Sequence, residues 1–200
     1  MHTKALAALC AAIATAVIAL DISTVTARNL SLSNQNIRVT FNNLEFSPGF
    51  GEPSTCRVTL EGSFHNRTSA KVAGSLIGYL TRVTTGQCSP NQVTILTATL
   101  PWHVRYQAFS GRLPDISLIL AKVFGESLRV GPCLARGDVD FGAARDPVTR
   151  ELIGVEVPTQ QIAVTNTEFF CPIETVQFNS NGLGSIFLSN SSTRVSLTLI

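Results

Sequence analysis

The chain has 200 residues, of which 44% are hydrophobic, and its 15 basic and 13 acidic side chains give a formal net charge of +2. The arginines are scattered and no basic run occurs, which argues against the clustered positive surface that nucleic-acid binding requires. The sequence contains no phosphate-binding loop, no Gly-x-Gly-x-x-Gly and no Gly-x-Ser-x-Gly, so the common nucleotide-binding and hydrolase signatures are absent.

The first 27 residues have the pattern of a secretory signal peptide. Lys4 precedes an apolar run of small residues over 5–20, and Ala27 ends a Val-Thr-Ala cleavage-site pattern. The run is shorter than the roughly 20 residues that a membrane span needs. We therefore predict a signal-peptide helix over 1–27 and a single all-β domain over 28–200, secreted or held in the cell envelope.

Four cysteines follow the predicted cleavage site, and an even number in an exported chain predicts two disulfides. They are Cys56, Cys88, Cys133 and Cys171. No Cys-x-x-Cys pair occurs among them, which argues against a zinc or thioredoxin-type site. Three pairings are possible, and Cys56–Cys88 with Cys133–Cys171 closes the shortest loops.

Alternation of apolar and polar residues predicts strands in the first half of the chain. Residues 37–46 alternate, and residues 56–64 show the cleanest alternation in the sequence. Residues 71–83 form a longer apolar strand that contains Gly74 and Gly78. Glycines inside a strand indicate curvature, a bulge or a close approach of two backbones.

Residues 93–114 contain the only tryptophan and a concentration of large polar side chains. Within this stretch the side chains alternate between the two faces of a strand. One face carries Trp102, Val104 and Tyr106, and the other carries His103, Arg105 and Gln107. Pro101 cannot donate to a strand ladder, so it predicts a corner between one strand over 95–100 and another that begins at Trp102.

The second half is harder to assign. Residues 115–130 fit a helix with Asp115 as its N-cap and Gly125 as its stop, but they fit a strand equally well. Their β-branched composition favours a strand, with 127–130 as a further short one. Residues 131–154 interleave opposite charges and predict a solvated loop. Strand patterns resume over 155–164, 165–170, 176–178, 185–188 and 193–200.

Nine or ten short strands separated by turns predict an all-β fold. The interior glycines favour strong coiling of a sheet. We therefore expect a single antiparallel barrel-like sheet, with a two-sheet β-sandwich as the alternative.

The motifs Val58–His65, Gly74–Tyr79, Leu100–Tyr106 and Cys133–Arg136 together resemble a group of uncharacterised exported proteins from soil actinobacteria. The resemblance extends over most of the chain after the signal peptide. It implies secretion, and it implies no activity and no catalytic residue.

Trp102, His103, Arg105 and Tyr106 are the candidate ligand-binding residues. The two aromatic rings would stack on a ligand while the imidazole and guanidinium groups donate hydrogen bonds. The alternative is that Trp102 and Tyr106 belong to the core and the other two face water. A small barrel can also hold one ligand inside, in which case the same aromatic face lines the site.

Catalytic and metal sites have weaker signals. His65 and His103 are the only histidines after the signal peptide. Asp138-x-Asp140 resembles the start of a calcium loop but lacks its later ligands and its glycine. The glutamates are too dispersed to nominate a pair for glycoside hydrolysis. They are Glu45, Glu61, Glu126, Glu156, Glu168 and Glu174.

The sequence therefore favours a secreted, non-enzymatic β-domain whose role it does not define, and an envelope or extracellular binding module for a small apolar or glycan ligand is the hypothesis. We predict no metal, no cofactor, no nucleic-acid partner and no membrane span after cleavage. The alternative function is an extracellular hydrolase or isomerase that uses a barrel pocket, with His103 or His65 as the base.

Overall fold

The protein is described by a computed structural model covering residues 29–49, 51–112, 115–165 and 171–200. These residues form fourteen strands and one 3₁₀ turn, Thr97–Thr99. The strands are β1 Asn29–Leu32, β2 Asn36–Ser47, β3 Ser54–Phe64, β4 Thr68–Ala70, β5 Leu76–Ser89, β6 Val93–Ile95, β7 Trp102–Arg112, β8 Asp115–Val130, β9 Cys133–Arg145, β10 Leu152–Glu156, β11 Gln160–Val164, β12 Thr175–Ser180, β13 Ser185–Leu188 and β14 Leu197–Leu199.

The predicted all-β class is confirmed. No helix within the described ranges is long and apolar enough to cross a membrane. The predicted signal peptide lies outside the described residues, as does nearly all of the strand predicted over 165–170.

The large sheet closes on itself. Antiparallel pairing runs from β9 through β11, β12, β2, β3, β5, β7 and β8, and β8 pairs with β9 again. The ring is uneven, because β9 and β11 meet only at Arg136–Ala163 and Ala135–Val164. By contrast, β8 and β9 pair from Leu118–Ala144 to Val130–Cys133. This arrangement matches the barrel-like expectation without being an evenly closed barrel.

A second, three-stranded sheet packs against the ring. Its strand order is β14-β1-β4, so the first and last described strands lie side by side. Leu30, Leu32 and Leu197 from this sheet are buried in the same apolar core as the inward side chains of the ring. The small sheet therefore closes part of the ring's interior.

Both disulfides have the predicted pairing. Cys56 and Cys88 face each other directly across β3 and β5, with their Cα atoms 4.2 Å apart. Cys133 at the start of β9 is bonded to Cys171. Two disulfides indicate that the protein folds in an oxidising environment.

Two predictions around β6 and β8 are wrong. The strand expected over 95–100 ends at Ile95, because Thr97–Thr99 form a 3₁₀ turn, none of whose residues is buried, before Pro101. The break at Pro101 itself is confirmed, since β7 starts at Trp102. Residues 115–130 are a strand, as favoured, but a single one, because Gly125 forms a bulge with φ +87° and the strand continues.

The solvated loop predicted over 131–154 is also wrong. Residues 133–145 form β9, which pairs with β8 along most of its length. Its inward residues are small or moderately apolar, among them Ala135 and Val139, and charged residues occupy the positions between them. Because several inward residues are alanine or glycine, the apolar alternation is weak beside those charges, and the sequence pattern does not indicate a strand.

The close backbone approach predicted for the strand glycines is found at one of the two positions. Gly74 lies in a turn before β5, so that strand begins at Leu76 rather than at residue 71. Gly78 lies within β5 opposite Phe64, and a Cβ atom added there would lie 2.6 Å from the Ser63 carbonyl oxygen. Gly62 on β3 is similarly crowded by the Tyr79 backbone. The two strands can therefore approach closely only because both positions lack a side chain.

We expect Gly78→Ala to lower the free energy of unfolding by about 2 kcal/mol, because the added methyl group meets backbone that cannot rotate away. Gly86→Ala on the same strand is the matched control, since its added Cβ would lie 3.3 Å from the nearest atom, the Arg57 carbonyl oxygen. Urea unfolding measures both. Equal unfolding midpoints for the two variants would contradict the close-approach explanation.

Candidate functional site

The candidate site is a cavity of about 100 Å³ between the ring and the small sheet. Its wall is almost entirely apolar. Side chains from the small sheet, from the inward faces of β2, β3, β8 and β9, and from β10 and β13 contribute to it. Representative wall residues are Leu30, Leu197, Val39, Leu60, Ile119, Ala121, Phe141, Ala143, Leu152 and Ile186.

The cavity exists because the inward positions around it carry small residues. Ala121 on β8 and Ala143 on β9 both contribute to the wall. Val104 and Phe141 also belong to it, and each is only half-buried although it packs against the core. Protein interiors are normally packed without voids much larger than a water molecule. Unfilled apolar space of this size is therefore a feature that a ligand can use.

Arg145 fastens the small sheet over this cavity. Its buried guanidinium donates from Nε to the Leu197 carbonyl oxygen at 2.8 Å and from Nη1 to the Ile116 carbonyl oxygen at 2.9 Å. It therefore joins β14, β8 and its own strand β9. Desolvation and then the charge of Arg150 lower the pKa of Arg145. A guanidinium nevertheless stays protonated in proteins.

The four sequence-predicted binding residues are divided between two faces of β7. Trp102 and Tyr106 are buried in the core, with 1% and 3% of their surface exposed, and neither lines the cavity. Trp102 Nε1 donates to Thr99 Oγ1 at 2.8 Å, which satisfies its only donor. Burial raises the pKa of Tyr106. The residue of β7 that does line the cavity is Val104.

His103 and Arg105 lie on the outer face of β7. Arg105 lies over the Phe124 ring, with 5.1 Å from its Cζ to the ring centroid. Tyr79 has His103 on one side and His65 on the other, with edge-on ring contacts at 4.9 and 4.4 Å. The fold thus brings both candidate catalytic histidines to one tyrosine, Tyr79, which belongs to the cavity wall, although neither histidine lines the cavity.

Asp138 and Asp140 are used by the fold. Asp138 Oδ1 accepts from the Gly125 backbone nitrogen at 3.3 Å, which supports the β8 bulge. Asp140 pairs with Lys122 at 3.2 Å across β8 and β9. In the part of the chain that the structure describes, no three histidine, cysteine, aspartate or glutamate side chains lie close enough to hold a metal ion.

Glu126 is a buried carboxyl that the sequence reasoning did not single out. It follows the Gly125 bulge on β8 and lies opposite Gly137 of β9. A Cβ atom on Gly137 would lie 2.8 Å from Cγ2 of Ile162, so an apolar side chain covers that position. Glu126 Oε2 has no hydrogen-bond partner among the described residues. Desolvation raises the pKa of Glu126 from 4.5 to about 7.

Comparison with known proteins identifies no relative of this chain. The chain matches no known family model, no curated protein and no solved structure.

We expect Arg145→Met to lower the free energy of unfolding by about 3 kcal/mol, because two buried carbonyl groups lose their donor. Arg150→Met is the control, since Arg150 is exposed. Urea unfolding measures the difference. Similar stabilities of the two variants would show that the buried guanidinium does not hold the small sheet.

We expect the unfolding free energy to fall as the pH rises through the range 4.5 to 7. The folded state holds the Glu126 proton more tightly than the unfolded chain does, so ionisation above this range costs about 3 kcal/mol. Glu126→Gln removes this ionisation cost. The stability of the variant relative to wild type should therefore rise with pH. Glu174→Gln, at an exposed position, serves as the control. Parallel pH profiles for wild type and Glu126→Gln would contradict the assignment.

Proposed function

We propose that the protein is a secreted or envelope-located, non-enzymatic binding domain that takes a small apolar ligand into the cavity between the ring and the small sheet. The observation that carries the proposal is the cavity itself, about 100 Å³ in volume with an almost wholly apolar wall. An engineered cavity of about 150 Å³ with a similar wall stays dry and binds benzene or xenon. The ligand is therefore of about that size, or is the end of a longer apolar chain.

The wall favours an apolar ligand over a sugar inside the cavity. A sugar buried there would need hydrogen-bond partners for each hydroxyl group, since an unpaired buried polar group costs free energy. Among the wall residues, Ser63, Ser69 and Tyr79 carry the hydroxyl groups, and the remaining wall side chains are apolar. Few partners are therefore available to a glycan.

The position of the histidines favours binding over catalysis. A catalytic pocket requires titratable groups that converge on the bound substrate. Neither His65 nor His103 lines the cavity. Both contact the ring of Tyr79, which is itself a wall residue, without lining the cavity themselves.

The disulfides support an extracellular location. Cys56–Cys88 and Cys133–Cys171 persist where thiols are not kept reduced. The predicted signal peptide and the resemblance to exported actinobacterial proteins point the same way. The proposed site of action is therefore outside the cell membrane.

Methyl NMR during titration with benzene tests the proposal. We expect the shifts of Ala121 and Ala143, which line the cavity, to change with saturation in the wild-type protein. Ala143→Leu should abolish the saturable change, because its larger side chain occupies the cavity. Ala108→Leu places the same substitution at an exposed position and should leave binding unchanged. Absence of saturable shifts in folded wild type, or unchanged binding by Ala143→Leu, would contradict the proposal.

A further inference from the structure

A second, unrelated surface lies on the outside of the ring. It is a shallow groove of about 510 Å³ across β13, β2, β3 and β5, which we name the arginine groove. Its volume falls in the range of ligand-binding clefts. It is lined by Arg38, Thr40, Asn42, Arg57, Thr59, Glu61, Arg82, Thr84, Ser185 and Phe187.

The strand register arranges these side chains in two adjacent rows. One row carries hydroxyl groups from strand to strand, in the order Ser185, Thr40, Thr59 and Thr84. The next row carries Phe187, Arg38, Glu61 and Arg82. Neighbouring strands lie about 4.8 Å apart, so the backbones of Arg38 and Arg82 are about 10 Å apart. That spacing is comparable with the repeat of a disaccharide in an extended polysaccharide.

Positive charge is concentrated in the groove. Three guanidinium groups face one carboxylate, so the groove's formal charge equals the +2 of the whole chain. Glu61 pairs with Arg82 at 3.4 Å, although 73% of the Arg82 side chain remains exposed. Arg38 Nη2 donates only a long bond of 3.4 Å to the Ser191 carbonyl oxygen. Most of the guanidinium donors therefore remain available to an external anion.

We propose that the arginine groove binds a linear polysaccharide that carries carboxylate groups. The planar guanidinium fork matches a carboxylate and bonds it through two parallel hydrogen bonds. The threonine hydroxyls lie in the row next to Arg38 and Arg82, and together with the Asn42 amide they supply both donors and acceptors for sugar hydroxyls. An extended, flat row of such groups fits a chain better than a compact ligand.

The same surface is a poor match for a protein partner. Protein interfaces usually centre on buried aromatic or apolar anchors. The one aromatic residue here, Phe187, already has the guanidinium of Arg194 over its ring at 5.6 Å. Charge and hydroxyl complementarity therefore assign the groove to an acidic glycan.

Calorimetric titration of the purified protein with polygalacturonate tests the assignment. We expect saturable binding that weakens with salt, and an affinity lower by about tenfold or more in Arg38→Gln/Arg82→Gln. Arg112→Gln/Arg136→Gln changes the net charge equally at two exposed positions outside the groove and should bind as wild type does. Glu61→Gln should bind more tightly, since it removes the internal carboxylate that competes for Arg82. A merely damaged fold would not produce that gain.

Three outcomes would overturn the assignment. The first is equal loss in the two double variants, which would indicate attraction by net charge alone. The second is equal binding of the methyl-esterified polymer, which lacks the carboxylate charges. The third is equal affinity for single-stranded DNA of matched charge, which would indicate no preference for a carboxylated sugar chain. Ala143→Leu should not alter polygalacturonate binding, so this test is independent of the cavity.

Discussion

Closure of the large sheet is the constraint on which the rest of the structure depends. Once β8 pairs with both β7 and β9, the strands form a circuit whose circumference is fixed by backbone hydrogen bonds. The interior cannot shrink to fit smaller side chains without breaking those bonds. Small inward residues such as Ala121 and Ala143 therefore leave space, whereas in an open sheet the opposite layer could move in to fill it.

The small sheet and Arg145 follow from this constraint. A ring whose interior is incompletely filled at one side needs a cover there, and β1, β4 and β14 supply it. Arg145 bonds that cover to the ring through backbone carbonyl groups of β14 and β8. Backbone oxygens and not a carboxylate accept the hydrogen bonds of the guanidinium, while the charges of Asp115 and Asp146 act on it from nearby. Glu126 is a buried carboxyl in the core, and its raised pKa makes stability depend on pH.

Much of the fold could be predicted from the sequence, because alternation and cysteine spacing are local signals. The 56–64 strand, the break at Pro101 and both disulfides are all found. β9 was missed because its inward residues are mostly small. Had it been recognised as a strand, Arg145 would have fallen on the inward face, in phase with Ala135 and Val139.

The burial of Glu126 could not be predicted, because the alternation of buried and exposed positions changes phase within β8. Ile119 and Val123 are buried at odd-numbered positions, whereas Leu128 and Val130 are buried at even-numbered ones. The Gly125 bulge makes the switch and places Glu126 in the apolar phase. The candidate cavity itself could not be predicted, because it depends on ring closure and on residues from distant strands. The aromatic and polar residues at 102–106 predict a binding role for β7, but the residue of β7 that lines the cavity is Val104.

The arginine groove could not be predicted from the sequence either, because its residues also come from distant parts of the chain. Arg38, Glu61 and Arg82 are separated by more than twenty residues each, and only the register of three strands puts them in one row. Three of the scattered arginines, Arg38, Arg57 and Arg82, thus come together on one face. The two surfaces divide the molecule into an apolar interior and a polar exterior, each matched to a different chemistry.

The most direct test of the central claim is a crystal structure of the protein under xenon pressure. Xenon has no hydrogen-bonding groups and collects in accessible apolar space, as it does in engineered cavities. The account predicts a discrete xenon site between Leu197 of the small sheet and Ala121 and Phe141 of the ring. A well-ordered crystal in which this space is filled by its own side chains and takes up no xenon would contradict it.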